Sequence, residues 1–175
     1  PQAVEAVHAA YIQSGANVIT SNSYAVVPFH IGEARFAAEG QALAALAGEL
    51  ARRAVLASGQ AVRVAGSLPP LFGSYRPDLF EADRVSELLT PLVTGLAPYV
   101  DLWLAETQSS IVEARAIHAG LPADGKPFWL SFTLKDEDTD EVPRLRSGEP
   151  VAEAAEAAAQ LGVQGQIGRA SCRER

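Results

Sequence analysis

Methionine is missing from all 175 residues, and cysteine occurs once, as Cys172. One cysteine cannot build a disulfide framework, which fits a reducing compartment, and no Cys-x-x-Cys pair offers a redox or metal site. Long apolar runs are missing too. None approaches the roughly 20 residues a membrane-crossing helix needs, and no charged segment leads into an apolar one as in a secretory signal. A cytoplasmic location is therefore expected. Basic charge is scarce: 14 Lys and Arg stand against 21 Asp and Glu. Three of those arginines and one glutamate lie beyond residue 166, so the body carries 11 basic and 20 acidic groups, a net charge of −9. Nucleic acids and anionic membranes bind basic patches, so neither is expected as a partner.

What is present is a chain that is 48% hydrophobic and long enough to bury one sizeable core, or part of a larger one. "QAVEAVHAAYIQS" (2–14) puts Val4, Val7, Tyr11 and Ile12 on one helical face. It opens without a cap and without Met, which predicts that an N-terminal portion precedes it. "NVITSNSY" (17–24), "VRVAGSL" (62–68), "VDLWLAET" (100–107) and "PFWLSFTL" (127–134) read as four buried strands. Helices are expected over most of 33–57, about 81–97, about 110–119, and in "EPVAEAAEAAAQLG". Apolar strands alternating with helices of ten or more residues imply βαβ crossovers and a parallel sheet.

Two layouts fit that order, a doubly wound open sheet and a (β/α)8 barrel. Neither GxGxxG nor GxxxxGK[ST] follows a strand, which weakens the nucleotide-binding layout. A full barrel takes about 250 residues, so about four βα units would form roughly half of one. A partial (β/α)8 TIM barrel is the preferred reading.

In parallel α/β folds functional groups collect where strands end. The first strand ends in Thr20, Ser21, Asn22 and Tyr24; the second in Gly66 and Ser67; the third in Glu106 and Thr107; the fourth in Ser131 and Thr133. Glu106 stands out because it closes the apolar run "LWLAE", where a lone carboxylate is expensive to desolvate. It is not needed as a helix cap, since "SIVE" (110–113) already supplies a capping box. Asn22 and Tyr24 are weaker candidates, as Asn and Ser are also ordinary turn formers. The acidic run from Asp136 to Glu141 lacks calcium-loop spacing and reads as solvated loop. His8, His30 and His118 share no metal spacing and read as structural, with only His30 near the expected mouth.

The blocks "GANVITSNSY", "VAGSLPPLFGSYRPDLF", "DLWLAETQSSIVEARA" and "PFWLSFTLKDED…LRSGEPVAEA" fall at the four strand ends in order. Together they resemble the homocysteine S-methyltransferase family, over nearly all of 1–164. That resemblance implies a barrel enzyme that uses zinc to methylate the thiol of homocysteine, giving methionine. A free thiol has a pKa near about 8.5 and is mostly protonated at neutral pH; zinc strips the proton to leave a nucleophilic thiolate. The donor would be S-methylmethionine, S-adenosylmethionine or methylfolate. By the same resemblance Glu106 holds the amino-acid end of homocysteine, and Ser21, Asn22, Tyr24 and Thr107 support it. The "GSLPP" turn (66–70) would shape the donor side.

The family's opening strand and its zinc-binding cysteines have no counterpart in the sequence. Residues 1–166 are therefore expected to be a central barrel segment, catalytically dead and unstable alone because open strand edges stay unpaired. "IGRASCRER" (167–175) has no strand pattern, reverses the charge of the body, and looks like a translated short-read sequencing adapter. It reads as a non-native tail, and Cys172 as no native thiol. Two other classes remain open: a small-molecule-binding or structural α/β domain in which Glu106 is merely a paired acid, and a metal-independent barrel enzyme.

Overall fold

The computed structural model describes residues 1–136 and 142–166. The acidic run past Asp136 and the tail with Cys172 lie outside the described residues. The order is α1 (Gln2–Gln13), β1 (Val18–Thr20), α2 (Pro28–Ile31), α3 (Glu33–Ser58), β2 (Arg63–Leu68), α4 (Val85–Leu96), β3 (Leu102–Gln108), α5 (Ile111–Ala119), β4 (Phe128–Phe132), α6 (Val151–Gln160) and β5 (Gly165–Gln166). Two 3-10 turns, Pro77–Leu79 and Ala82–Arg84, lie between β2 and α4. α3 ends where Gly59 takes φ 63, a left-handed position that Gly occupies without the strain a Cβ would bring.

All strand pairs are parallel, and the sheet order is β1-β2-β3-β4-β5. A doubly wound sheet reverses its order at a switch point, whereas a barrel adds strands in chain order. The observed order has no reversal. The two-residue β5 was not anticipated: "QGQ" is too short and polar to carry a strand pattern, and pairing with β4 alone places it. α2 was also missed, its four residues being too few for a helical period.

Strand alternation sorts the sheet into two faces. Val64, Leu68, Trp103, Ala105, Phe128 and Leu130 join the main core with helix residues such as Ile12, Phe36, Leu92 and Ile117. Ala65, Leu102 and Leu104 form a separate inner cluster, packed by Val18 and Trp129 and without helix residues. The helices thus cover one face, and the other is a barrel-like interior. α4 contributes Leu88, Leu89, Leu92 and Leu96, each at most 2% exposed, and burying each such side chain stabilises by about 1.5–3 kcal/mol. α3 and α4 cross closely at Gly95, where an added Cβ would lie 2.5 Å from the Gln41 carbonyl oxygen.

The helical face expected of α1 is only partly buried. Ile12 is 1% exposed, but Val7 and Tyr11 are exposed at 54% and 63%, while His8 is buried. The apolar stripe reflects two duties: Ile12 enters the core, and Val4, Val7 and Tyr11 line the cleft described next.

Candidate functional site at the strand ends

Along the inner face, apolar residues give way to polar ones at the C-terminal strand ends. Ala65 is followed by Ser67 on β2, Leu104 by Glu106 on β3, and Trp129 by Ser131 on β4. These ends open on a cleft of about 1060 Å³. Ser21, Asn22, Tyr24, Glu106 and Thr107 all line it, so the structure brings the five sequence candidates together. His30, Ser74 and Tyr75 complete the rim.

Glu106 is half-buried. Ser67, which is fully buried, donates its hydroxyl to Glu106 Oε1 at 2.5 Å. The backbone of that serine is in turn held by two hydroxyls, with directions that the donors fix. Ser21 Oγ accepts from the Ser67 N–H at 3.0 Å, so its own hydrogen goes to Ser23, and Ser23 donates to the Ser67 carbonyl at 2.7 Å. Ser21 therefore extends β1–β2 pairing by one polar rung. Its hydroxyl is already spent within the protein, although it lies at the cleft.

Thr107 explains how Glu106 is aimed. It has φ 64, a left-handed value costly for a β-branched residue, and the β3–β4 register shifts between Ala105 and Gln108. Its N–H is satisfied by the Ser131 hydroxyl at 3.0 Å. A bulge of this kind bends a strand end and redirects its side chains. Ser67 and Ser131 were visible only as polar residues at strand ends. Their contacts depend on neighbouring strands, which spacing along one strand cannot report.

The rim is braced across loops. The Tyr24 hydroxyl pairs with the Ser74 hydroxyl at 2.7 Å, and the Tyr24 and His30 rings lie 6.3 Å apart. Tyr75, at φ 65, lies under the Arg146 guanidinium at 4.6 Å, and Arg146 pairs with Asp136 at 2.5 Å. Asn22 is exposed at the edge. His8 lines the cleft from α1, buried, with Nε2 unpartnered and its pKa lowered by burial.

Among the described residues no lysine or arginine lines the cleft, so Glu106 faces it without a lining cation from them. Such a carboxylate suits a cationic group of a ligand. Among the described residues no three His, Cys, Asp or Glu gather in a way that could hold a metal ion. The described side chains thus do not fit a zinc site.

The family model for homocysteine S-methyltransferase matches residues 1–170. The chain belongs to the homocysteine S-methyltransferase family. A comparison with curated protein sequences gives no match. Among solved structures, the metallated form of the homocysteine methyltransferase MmuM from Escherichia coli is 28% identical, with a TM-score of 0.75; the match covers 94% of this chain and 61% of that one. Its oxidized form is 27% identical with a TM-score of 0.76, covering 96% and 62%. A phosphonomutase-like structure from Burkholderia cenocepacia, at 18% identity and a TM-score of 0.53, covers 93% and 54% and shares the fold alone. The chain thus spans about three-fifths of the MmuM chain. For this homocysteine S-methyltransferase family member the fold is a partial (β/α)8 barrel, with which the consecutive strand order agrees.

Proposed function

We propose that this chain forms the amino-acid-binding side of a site that methylates the thiol of homocysteine to give methionine. The observation that carries the reading is the Glu106 carboxylate, aimed by the Thr107 bulge and held by Ser67, in a cleft to which the described residues contribute no lysine or arginine. It offers a charge partner for the substrate ammonium. Asn22 and Thr107 stand at the same mouth, and Tyr24, braced on Ser74, sets its width. Ser21 supports the site by holding the backbone of Ser67, whose hydroxyl binds Glu106.

Methyl transfer needs the sulfur and the activated methyl group brought into line, and a barrel mouth with fixed side chains supplies that orientation. The donor is of the sulfonium or methylfolate class, S-methylmethionine, S-adenosylmethionine or methylfolate. Zinc, the metal the family uses to activate the thiol, would need ligands beyond the described residues, so no step is assigned to it. Residues 1–166 on their own bind substrate without turning it over, and the segment 167–175 with Cys172 takes no part.

The test is to titrate the chain with homocysteine and to follow methionine by mass spectrometry with each of the three donors. Homocysteine binding that survives chelation, without methionine formation by the chain alone, supports the reading. Absence of homocysteine binding overturns it. Methionine formation by the chain that persists under chelation would establish instead a metal-independent transferase.

A further inference from the structure

Behind Glu106 lies a second polar arrangement. Gln108, fully buried, donates Nε2 to the Glu106 carbonyl at 3.0 Å and to the Leu68 carbonyl at 3.4 Å. It thereby ties the ends of β2 and β3 together. Using the amide nitrogen this way fixes the orientation of the amide, and Gln108 Oε1 is left buried with no partner. Glu113 is 2% exposed. Its Oε2 accepts from the Ser109 N–H at 3.0 Å and the Ser110 hydroxyl at 3.2 Å, completing the cap of α5, while Oε1 is buried and also unpartnered.

Gln108 and Glu113 line one cavity, otherwise walled by apolar groups such as Leu71, Phe72 and Ile117, and too narrow for a water molecule. Each of these two lining residues carries a buried acceptor oxygen without a donor among the described residues, and water cannot enter the cavity to supply one. Buried polar atoms are nearly always paired. An ionised Glu113 would leave both oxygens unsatisfied, whereas one proton on the carboxyl satisfies both. We propose that Glu113 is a neutral carboxylic acid donating its proton to Gln108 Oε1, so that the pair acts as a positioning unit for Glu106.

Electrostatics agree. Burial raises the Glu113 pKa, against the lowering by its Ser109 and Ser110 hydrogen bonds, and the nearby Glu149 carboxylate raises it further. Glu149 itself accepts from the Ile111 N–H at 3.1 Å, so it serves the start of the same helix and repels a second charge there. The β2–α4 side faces Glu113 with Leu71, Phe72, Phe80 and Val85, none of them charged.

The protonation state is independent of what Glu106 binds; only the affinity readout rests on the proposed function. The first measurement is carboxyl carbon NMR of the chain labelled at glutamate, at pH 7. A resonance in the protonated range that vanishes in Glu113→Gln is expected, and a Glu113 resonance in the ionised range overturns the proposal. The second is homocysteine affinity of each variant relative to wild type from pH 6 to 9, a ratio that cancels titration of the ligand. Glu113→Gln, whose amide donates the same hydrogen bond, matches wild type at neutral pH and surpasses it where Glu113 ionises. Gln108→Leu, which cannot hold the Glu106 carbonyl, weakens binding about tenfold. Equal losses in the two variants at neutral pH would overturn the positioning role. If Glu106→Gln binds homocysteine normally, the substrate reading fails while the NMR result still decides the proton.

Discussion

Replacing Glu106 by Gln removes the charge at the cleft and little else. The amide keeps the carboxylate's shape, and its oxygen can still accept from Ser67, which now sits 2.5 Å from Oε1. Glu106 is half-buried and lies among hydroxyls and carbonyls, so folding stability should change by less than about 1 kcal/mol. Binding should change far more. A hydrogen bond between charged partners contributes about 1.5–3 kcal/mol, so homocysteine affinity should fall roughly ten- to a hundredfold. Among the described residues no lining lysine or arginine competes for the carboxylate, so the effect should appear on the ligand ammonium. Calorimetry with homocysteine and with 4-mercaptobutyrate, which lacks the ammonium, isolates it. Wild type should prefer homocysteine by that factor, and Glu106→Gln should lose the preference while binding both weakly. Equal preference in the two proteins would refute the reasoning, because the carboxylate would then not face the ammonium.

Ser67→Ala should weaken homocysteine binding less than Glu106→Gln, by about three- to tenfold, since it removes one hydrogen bond that orients the acid; the same calorimetry ranks the two. Gly95→Ala should destabilise the protein by about 1–3 kcal/mol in urea unfolding, although alanine favours helices, because the new Cβ meets the Gln41 carbonyl 2.5 Å away. His8 has its folded-state pKa below the ordinary 6.5, so the unfolded chain binds the proton first. Its contribution to stability is complete above pH 6.5 and is lost as pH falls through the lowered value; His8→Phe should flatten thermal stability across that window. Glu113 has the opposite sign: with its folded pKa raised above 4.5, stability should decline as pH rises from 4.5 through the folded value, and Glu113→Gln should remove that decline.

Period and punctuation were enough to place most elements. The stop of α3 at Gly59, the Ser110 cap of α5 and the four longer strands follow from local preferences that act within one turn or one strand. Glu106 was legible for a related reason, as a charge at the end of an apolar strand announces its own desolvation cost. The inner and outer faces were not legible. Wholly apolar stretches such as "LWLA" (102–105) give no alternation to read, so only packing shows that Trp103 meets the helices while Leu102 and Leu104 turn inward. The exposure of Val7 and Tyr11 was hidden likewise, because a helical stripe marks apolar residues without saying what covers them.

The order of the longer elements, the parallel sheet, the acidic body and the strand-end location of the candidate residues were legible in the sequence, because each rests on short-range pattern or composition. Only the packed sheet settles which groups meet across strands: Ser21 on the Ser67 N–H, Ser67 on Glu106, Ser131 on the Thr107 bulge, and Gln108 on the Leu68 carbonyl. Those contacts join residues 24 to 46 positions apart, or turn on a backbone angle that only the packed sheet imposes. No local rule fixes such distances, which are set by the register of neighbouring strands.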